Sequence, residues 1–381
     1  MILYWIDRRS DDMSKTFMTG LHIHSIRHLN DIEIPLSDIC RKPLILTGKN
    51  GCGKTSVLES LKESLTLMVS NRGSLIPKKV GAVPQFHSTD EMKWKYWEGL
   101  YIIAYYDDTR EISVETSTNI EMVDLPPFYR IDEHPCKQLV KYLSRLKAVQ
   151  AFAQMSGNED RAAEITIWFT RFENILKKIY EDNSLKLIFN IDNFQFTIQL
   201  QNREPFGFNS MSMGYSAIFD IIGDLVMRME TKKNFDLEGL VMIDDIEAHL
   251  HIGLQKKIMP ILMELFPNIQ FVLSTHSPFV LNSTPNAVVY DLEKHTLVEN
   301  GLTTLPYEGI VEGYFGSNLL ADELKNKFKV YKAIIQKTTL SDEDFIHAAE
   351  LENYLDKVPD FLALEFTAEY RRLKLEFSKR Q

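Results

Sequence analysis

The chain has 381 residues, 44% of them apolar, with 53 acidic against 43 basic side chains and a formal net charge of −10. That is enough apolar material for one large core or two smaller ones, and the negative balance argues against a protein that coats nucleic acid by bulk charge. No apolar run approaches the roughly 18 residues of a membrane helix, and residues 1–14 run from apolar into charge, the wrong order for a secretion signal. Cys40, Cys52 and Cys136 are widely spaced and form no C-x-x-C pair, which fits neither a disulfide framework nor a zinc site. These features predict a cytoplasmic protein with no membrane partner.

In chain order, residues 21–26 and 31–36 alternate apolar and polar as half-buried strands do, and residues 43–47 are a short apolar run ending in a Gly-rich turn. Val57, Leu58, Leu61 and Leu65 then recur at helical steps. Residues 71–90, rich in Gly, Pro, Ser and Lys, read as a loop, and residues 100–106 and 112–116 as paired strands. Residues 137–155 and 160–179 read as helices, and residues 185–190 and 194–200 as a hairpin about Asp192-Asn193. A helix is predicted over 213–228, a buried strand over 240–243, a helix over 252–266, and strands over 269–273 and 287–290. Alternating strands and helices predict an α/β fold with a doubly wound sheet. The expected organisation is a split core, residues 1–70 and 206–325, an α+β insertion over 71–205, and a helical C-terminal tail over 326–381.

Gly48-Lys-Asn-Gly-Cys-Gly-Lys-Thr55 matches G-x-x-x-x-G-K-[ST] between a strand and a helix. Glycines let the backbone turn its N–H groups onto phosphate oxygens, and the following helix adds its positive end. Gly48, Asn50, Gly51, Cys52, Gly53, Lys54, Thr55 and Ser56 are therefore candidate phosphate-binding positions, with Lys54 on the β- and γ-phosphates and Thr55 on magnesium. The buried strand ending in Asp244-Asp245 needs a cation to meet its carboxylates. Asp244 suits a magnesium-holding role and Asp245 that of orienting an attacking water. His276, directly after another buried strand, is placed at the same sheet edge as a phosphate donor. His249 and His251 point to different helix faces and His22 and His24 read as a surface pair, so neither is expected to bind metal. Asp342 and Asp344 read as a solvated charge run.

The ordered blocks Gly48–Thr55, Met211-Ser-Met-Gly-Tyr215, Val241 through His251 and Leu273-Ser-Thr-His-Ser-Pro278 resemble the stand-alone ABC-type ATPases related to Rad50, SMC, RecF and OLD proteins. The resemblance implies a P-loop ABC-type core with a mixed sheet, binding ATP and Mg2+, in which Ser212 and Gly214 complete the site of an opposite subunit. It aligns Asp245 with the family's catalytic Glu, one methylene longer. That departure implies slow hydrolysis, or ATP used as a latch in a non-hydrolysing scaffold. Glu247 matches the family's second acid, which makes it a further catalytic candidate that would compensate for Asp245, and Gln85 stands at the rough position of its Q-loop glutamine.

The Ile-Glu-Ala-His-Leu-His form with Ser-Thr-His-Ser-Pro is most similar to the ATPases of bacterial anti-phage systems such as the Septu ATPase. This implies a regulatory ATPase subunit, a homodimer or higher oligomer, controlling a separate nuclease of the HNH type and reaching nucleic acid through that complex. A RecF- or SMC-like DNA-repair ATPase is the alternative. The apolar tail residues Phe361, Leu362, Leu364, Phe366, Tyr370, Leu373, Leu375 and Phe377 would either pack as a core or dock that partner.

Overall fold

The computed structural model describes residues 16–70, 81–110, 120–303, 322–337, 340–356 and 364–378. Strands β1 (Met18–Ile26) and β2 (Leu29–Pro35) pair antiparallel, with Arg27 and His28 between them as a two-residue turn. β3 (Leu44–Thr47) is buried along its length and delivers the chain to Gly48. α1 (Lys54–Ser70) buries Val57, Leu58, Leu61 and Leu65, the stripe its periodicity predicts. β4 (Ala82–Phe86) returns to pair antiparallel with β1, giving a three-stranded sheet of order β2-β1-β4. α2 (Thr89–Trp97), capped by the Ser88 side chain, leads into β5 (Tyr101–Tyr106).

α3 (Leu139–Met155) packs against α4 (Glu159–Tyr180). A small antiparallel sheet follows, made of β6 (Lys186–Asn190), β7 (Gln195–Gln199) and the short β8 (Phe206–Gly207). α5 (Met213–Glu230) precedes β9 (Glu238–Ile243). After α6 (Ile252–Gln255) and α7 (Ile258–Leu265) come β10 (Ile269–Ser274), α8 (Pro278–Ser283), β11 (Val288–Asp291) and β12 (Thr296–Val298).

The six-stranded central sheet runs β12-β11-β3-β10-β9-β5. Its inner pairings are parallel and only β12 is antiparallel, so the fold is the expected α/β core with a mixed sheet. β3, β5, β9 and β10 are buried at every position or nearly so, as strands covered on both faces must be. The carboxyl ends of these four strands share one edge, where open α/β sheets bind ligands. The central sheet and the β2-β1-β4 sheet are joined by Gln270 of β10, 1% exposed. Its side chain accepts the Met18 N–H at 2.7 Å and donates to the carbonyls of Met18 and Lys42, both at 3.0 Å.

Three expectations change. Residues 82–86 form a strand and residues 89–97 a helix, within the stretch read as loop; residues 71–80 lie outside those described. β4 carries Pro84, which an edge strand tolerates because its outer N–H has no ladder to join. β5 does not belong to the insertion: it lies beside β9 in parallel register, Tyr101 opposite Glu238 through Tyr106 opposite Ile243. Residues 82–106 are therefore core, and the expected insertion boundary at 71 is too early; residues 112–116, its expected strand partner, lie outside the described residues. The single helix expected over 252–266 is two, broken at Lys256-Lys257. Pro260 lacks an N–H for the carbonyl of Lys256, so it is tolerated only in the first turn of a new helix.

The described residues from Asp322 onward belong to a separate unit. It comprises α9 (Asp322–Ile335), α10 (Asp342–Leu355) and α11 (Leu364–Ser378). Tyr331, Ile335, Leu351, Leu355, Tyr370, Leu373 and Phe377 share a small core of their own. Leu375 is 64% exposed; Phe361 and Leu362 lie outside the described residues, as do the side chains of Leu364 and Phe366. Asp344 closes a capping box with Ser341 at the start of α10, which gives that member of the D-x-D pair a structural use. Among the described residues, no helix is long and apolar enough to cross a membrane.

Candidate functional site

The loop after β3 turns on Gly48, Gly51 and Gly53, with φ of 132°, 84° and 103°, a region closed to most side chains. A Cβ on Gly48 would also stand 2.8 Å from the Cys52 Sγ. Lys54 opens α1 and is 7% exposed. Its ammonium donates to the carbonyls of Gly48 at 2.9 Å and Lys49 at 3.1 Å, and lies 3.7 Å from the Cys52 Sγ. Cys52 is buried in the body of the loop.

A cleft of 390 Å³ opens above this loop, lined by Asn50, Gly51, Gly53, Lys54, Thr55 and Ser56 on one side and by Asp244, Asp245, Ser274 and His276 on the other. The structure thus brings together the P-loop, both aspartates and His276, as their strand-end positions predict. Asp244 is 4% exposed and accepts a hydrogen bond from the Ser274 hydroxyl, and its own N–H donates to the Tyr106 carbonyl at 2.8 Å. The Asp245 N–H donates to the Ser274 oxygen at 2.7 Å. Asp245 has φ of 44°, an uncommon conformation for a residue with a side chain. Its buried Oδ1 has no hydrogen-bond partner among the described residues. Burial, and then the nearby Lys54 ammonium, hold the His276 pKa below its usual value, which favours the neutral ring with one N–H to donate.

Glu247, expected among the catalytic residues, stands away from the cleft lining. It accepts from the Thr275 hydroxyl at 2.6 Å and from the His276 N–H, and so braces the backbone that presents His276. Burial raises its pKa from 4.5 to about 7. The folded state therefore holds an extra proton between those values, and stability from this group is lost as pH rises from about 4.5 towards 7. Glu247→Gln keeps both bonds, because the amide oxygen accepts from His276 and the amide N–H donates to the Thr275 hydroxyl. We expect thermal unfolding of the variant to lose that pH slope and to exceed the wild-type Tm at pH 8. A variant that instead tracks the wild type from pH 5 to 8 would show that Glu247 ionises freely in place.

Ser212 and Gly214 are not brought into this cleft. Ser212 is the exposed N-cap of α5 and its side chain makes no capping bond. Gly214 packs against the backbone of His249, where a Cβ would meet the carbonyl oxygen at 3.1 Å. His251 caps α6, its Nδ1 accepting the Gly253 N–H at 3.1 Å, and the rings of His22 and His24 lie 4.0 Å apart with His22 3.0 Å from Asp31. Gln85 is not a cleft residue either: its side chain lies over Gly20, and its carbonyl accepts from Thr19.

Three lining residues escape the sequence reading. Arg27 sits at the β1–β2 turn with φ of 55°. Asp108 follows β5, at the same sheet edge. Ser274 lies inside a recognised block, and its position directly before Thr-His-Ser at a buried strand end is the available signal. The oxygen donors of Thr55 and Asp244, with the unpartnered Asp245 oxygen beyond them, suit a hard cation such as magnesium.

The fold and this site are those of a P-loop protein similar to the ABC-type ATPases. A family described as "AAA domain, putative AbiEii toxin, Type IV TA system" matches residues 160–282. In sequence the chain is related to the Septu protein PtuA of Bacillus mycoides (strain KBAB4), 24% identical over 381 residues, 91% of this chain and 51% of that protein. It is also related to the Retron Vc95 probable ATPase of Vibrio cholerae serotype O1 biovar El Tor, 37% identical over 90 residues, 22% of this chain and 17% of that one. A second Septu protein PtuA, from Bacillus thuringiensis, is 30% identical over 110 residues, 27% of this chain and 28% of that protein. The chain spans about half the length of the first of these relatives and less of the others. Among solved structures, an SmcHead bound to the C-winged helix domain of ScpA aligns with a TM-score of 0.43 and 12% identity, over 76% of this chain and 100% of that one.

Proposed function

We propose that the chain is a cytoplasmic ATP-binding and slowly ATP-hydrolysing regulatory subunit of an anti-phage defence complex, in which two copies close around nucleotide and control a separate HNH-type nuclease. The observation that carries this reading is the division of the site. The P-loop, Asp244, Asp245 and His276 line one cleft, while Ser212 stands exposed at the start of α5, outside it. A helix start with a free hydroxyl is a phosphate-binding element, and a second copy would supply it. The Septu and retron relatives support the defence setting, and nucleic acid would be reached through the nuclease.

Thr55 and Asp244 would hold magnesium, which when bound supplies charge neutralisation on the phosphate oxygens. Lys54 and the N–H groups of the loop bind and orient the phosphates. His276 donates its N–H to them, and the free oxygen of Asp245 orients a water. Asp245 is also the reason to retain a second reading, in which ATP is bound as a latch and turned over hardly at all.

The test is the mass of the protein by light scattering, with and without ATP, in Asp245→Asn and in Asp245→Asn with Ser212→Arg. ATP is expected to double the mass of the first. The second should still bind ATP through its own P-loop but stay at its starting mass, because an arginine at the helix start blocks the facing surface. ATP that leaves the mass of Asp245→Asn unchanged would sink the two-copy arrangement.

A further inference from the structure

We propose that Arg110 is a positioning residue for the Asp245 carboxylate, holding the turn that aims it into the cleft. Arg110 is 6% exposed. Its guanidinium donates to backbone carbonyls: Nε to Asp107 at 2.9 Å, Nη1 to Ile246 at 3.1 Å, and Nη2 to Asp244 at 2.6 Å and to Asp245. Carbonyls of successive residues in a strand point to opposite sides. Three in a row converge on one guanidinium only if the chain turns sharply, and Asp245, at φ of 44°, supplies the turn. The Asp245 carbonyl also accepts the Ala248 N–H at 2.8 Å, which closes the turn from its other side.

The planar fork of arginine suits this task. It spans the ends of β5 and β9, two adjacent parallel strands, and donates in several directions at once. A lysine brings the same charge but a single ammonium that cannot cover carbonyls on both sides. Charge also favours a cation here. Burial lowers the Arg110 pKa, while Asp245, Glu247, Asp220 and Asp244 all act on it in the opposite sense. Arg110 itself is absent from the cleft lining, so it acts on the reaction through Asp245.

This role rests on the ATP-hydrolysing reading for its kinetic consequence, but its structural consequence can be measured without turnover. The experiment uses the full chain as wild type, Arg110→Met and Arg110→Lys, and follows ATP affinity, steady-state turnover, and hydrogen exchange of the peptide that covers residues 244–248. In Arg110→Met we expect kcat to fall about ten- to a hundredfold, as for a displacement of about 1 Å, with ATP affinity within about threefold of wild type. Amide exchange at 244–248 should rise about tenfold there and be unchanged along α1. Arg110→Lys should fall between the two in both readouts, and it carries the test if the methionine variant does not fold.

Wild-type turnover and unchanged exchange in Arg110→Met would overturn the proposal, as would an affinity loss equal to the loss of kcat, which marks a general structural role. If the wild type itself turns over no ATP, the hydrolytic reading fails. The exchange at 244–248 then decides the Arg110 assignment by itself.

Discussion

Lys54→Ala should lower ATP affinity at least about a hundredfold, a loss of about 2.8 kcal/mol, measured by titration calorimetry with magnesium present. The ammonium is already inside the loop, held by the carbonyls of Gly48 and Lys49. Its partners there are neutral carbonyls, whereas phosphate oxygens carry the opposite charge and add ion-pair attraction to the hydrogen bond. Nucleotide binding would thus exchange neutral acceptors for charged ones without reorganising the loop, whose glycine conformations are already in place. Alanine removes that attraction and leaves the loop. Its Tm should consequently stay close to wild type. A Lys54→Ala protein that bound ATP as tightly as wild type would show that the nucleotide does not sit above this loop.

The second large effect concerns Asp245. Asp245→Asn preserves volume and backbone but removes the charge from a side chain whose Oδ1 is buried and unpartnered among the described residues. ATP binding should be unchanged, and turnover should fall about 10²- to 10⁴-fold, the usual worth of a positioned proton acceptor. Asp245→Glu adds a methylene, about 1.5 Å of reach, and should raise turnover. Equal rates for wild type and Asp245→Asn would remove Asp245 from the chemistry. An absence of turnover in all forms, with ATP still bound, would select the latch reading instead.

The legibility of these residues in the sequence follows from how locally they are specified. The P-loop is readable because its conformation demands glycines at fixed spacing within one short, continuous segment. Asp244, Asp245 and His276 are readable because apolar runs identify buried strands, and the strand ends of a parallel sheet share an edge. Arg27 and Asp108 join that edge from separate segments, one from a hairpin in a different sheet, with no local pattern to announce them. Arg110 is less visible still, since its partners are backbone carbonyls and carry no residue identity.

β5 is misread for a different reason. Tyr101-Ile-Ile-Ala-Tyr-Tyr106 passes for half of a hairpin, yet a run buried at all six positions is the pattern of a parallel core strand, whereas a hairpin strand usually alternates. With β5 assigned to an insertion, Gln85 takes the rough Q-loop position, although the sheet edge lies at the end of β5. Glu247 shows a further limit. An acid so close behind the Asp244-Asp245 pair looks catalytic in sequence, and its contacts with Thr275 and His276 have no signal there.

The amide of Gln270 has a consequence for how such a site is filled. By holding both the N–H and the carbonyl of Met18, together with the carbonyl of Lys42, it fastens the sheet that carries Arg27 to the sheet that carries the P-loop. Arg27 and the P-loop are thereby tied to each other across the two sheets, and their separation is set when the chain folds. An internal hinge between them is a poor route to enclosing a ligand. Under the proposed two-copy arrangement, enclosure falls instead to a surface arriving from outside, and the local concentration of protein, as much as that of nucleotide, would set how long a ligand stays.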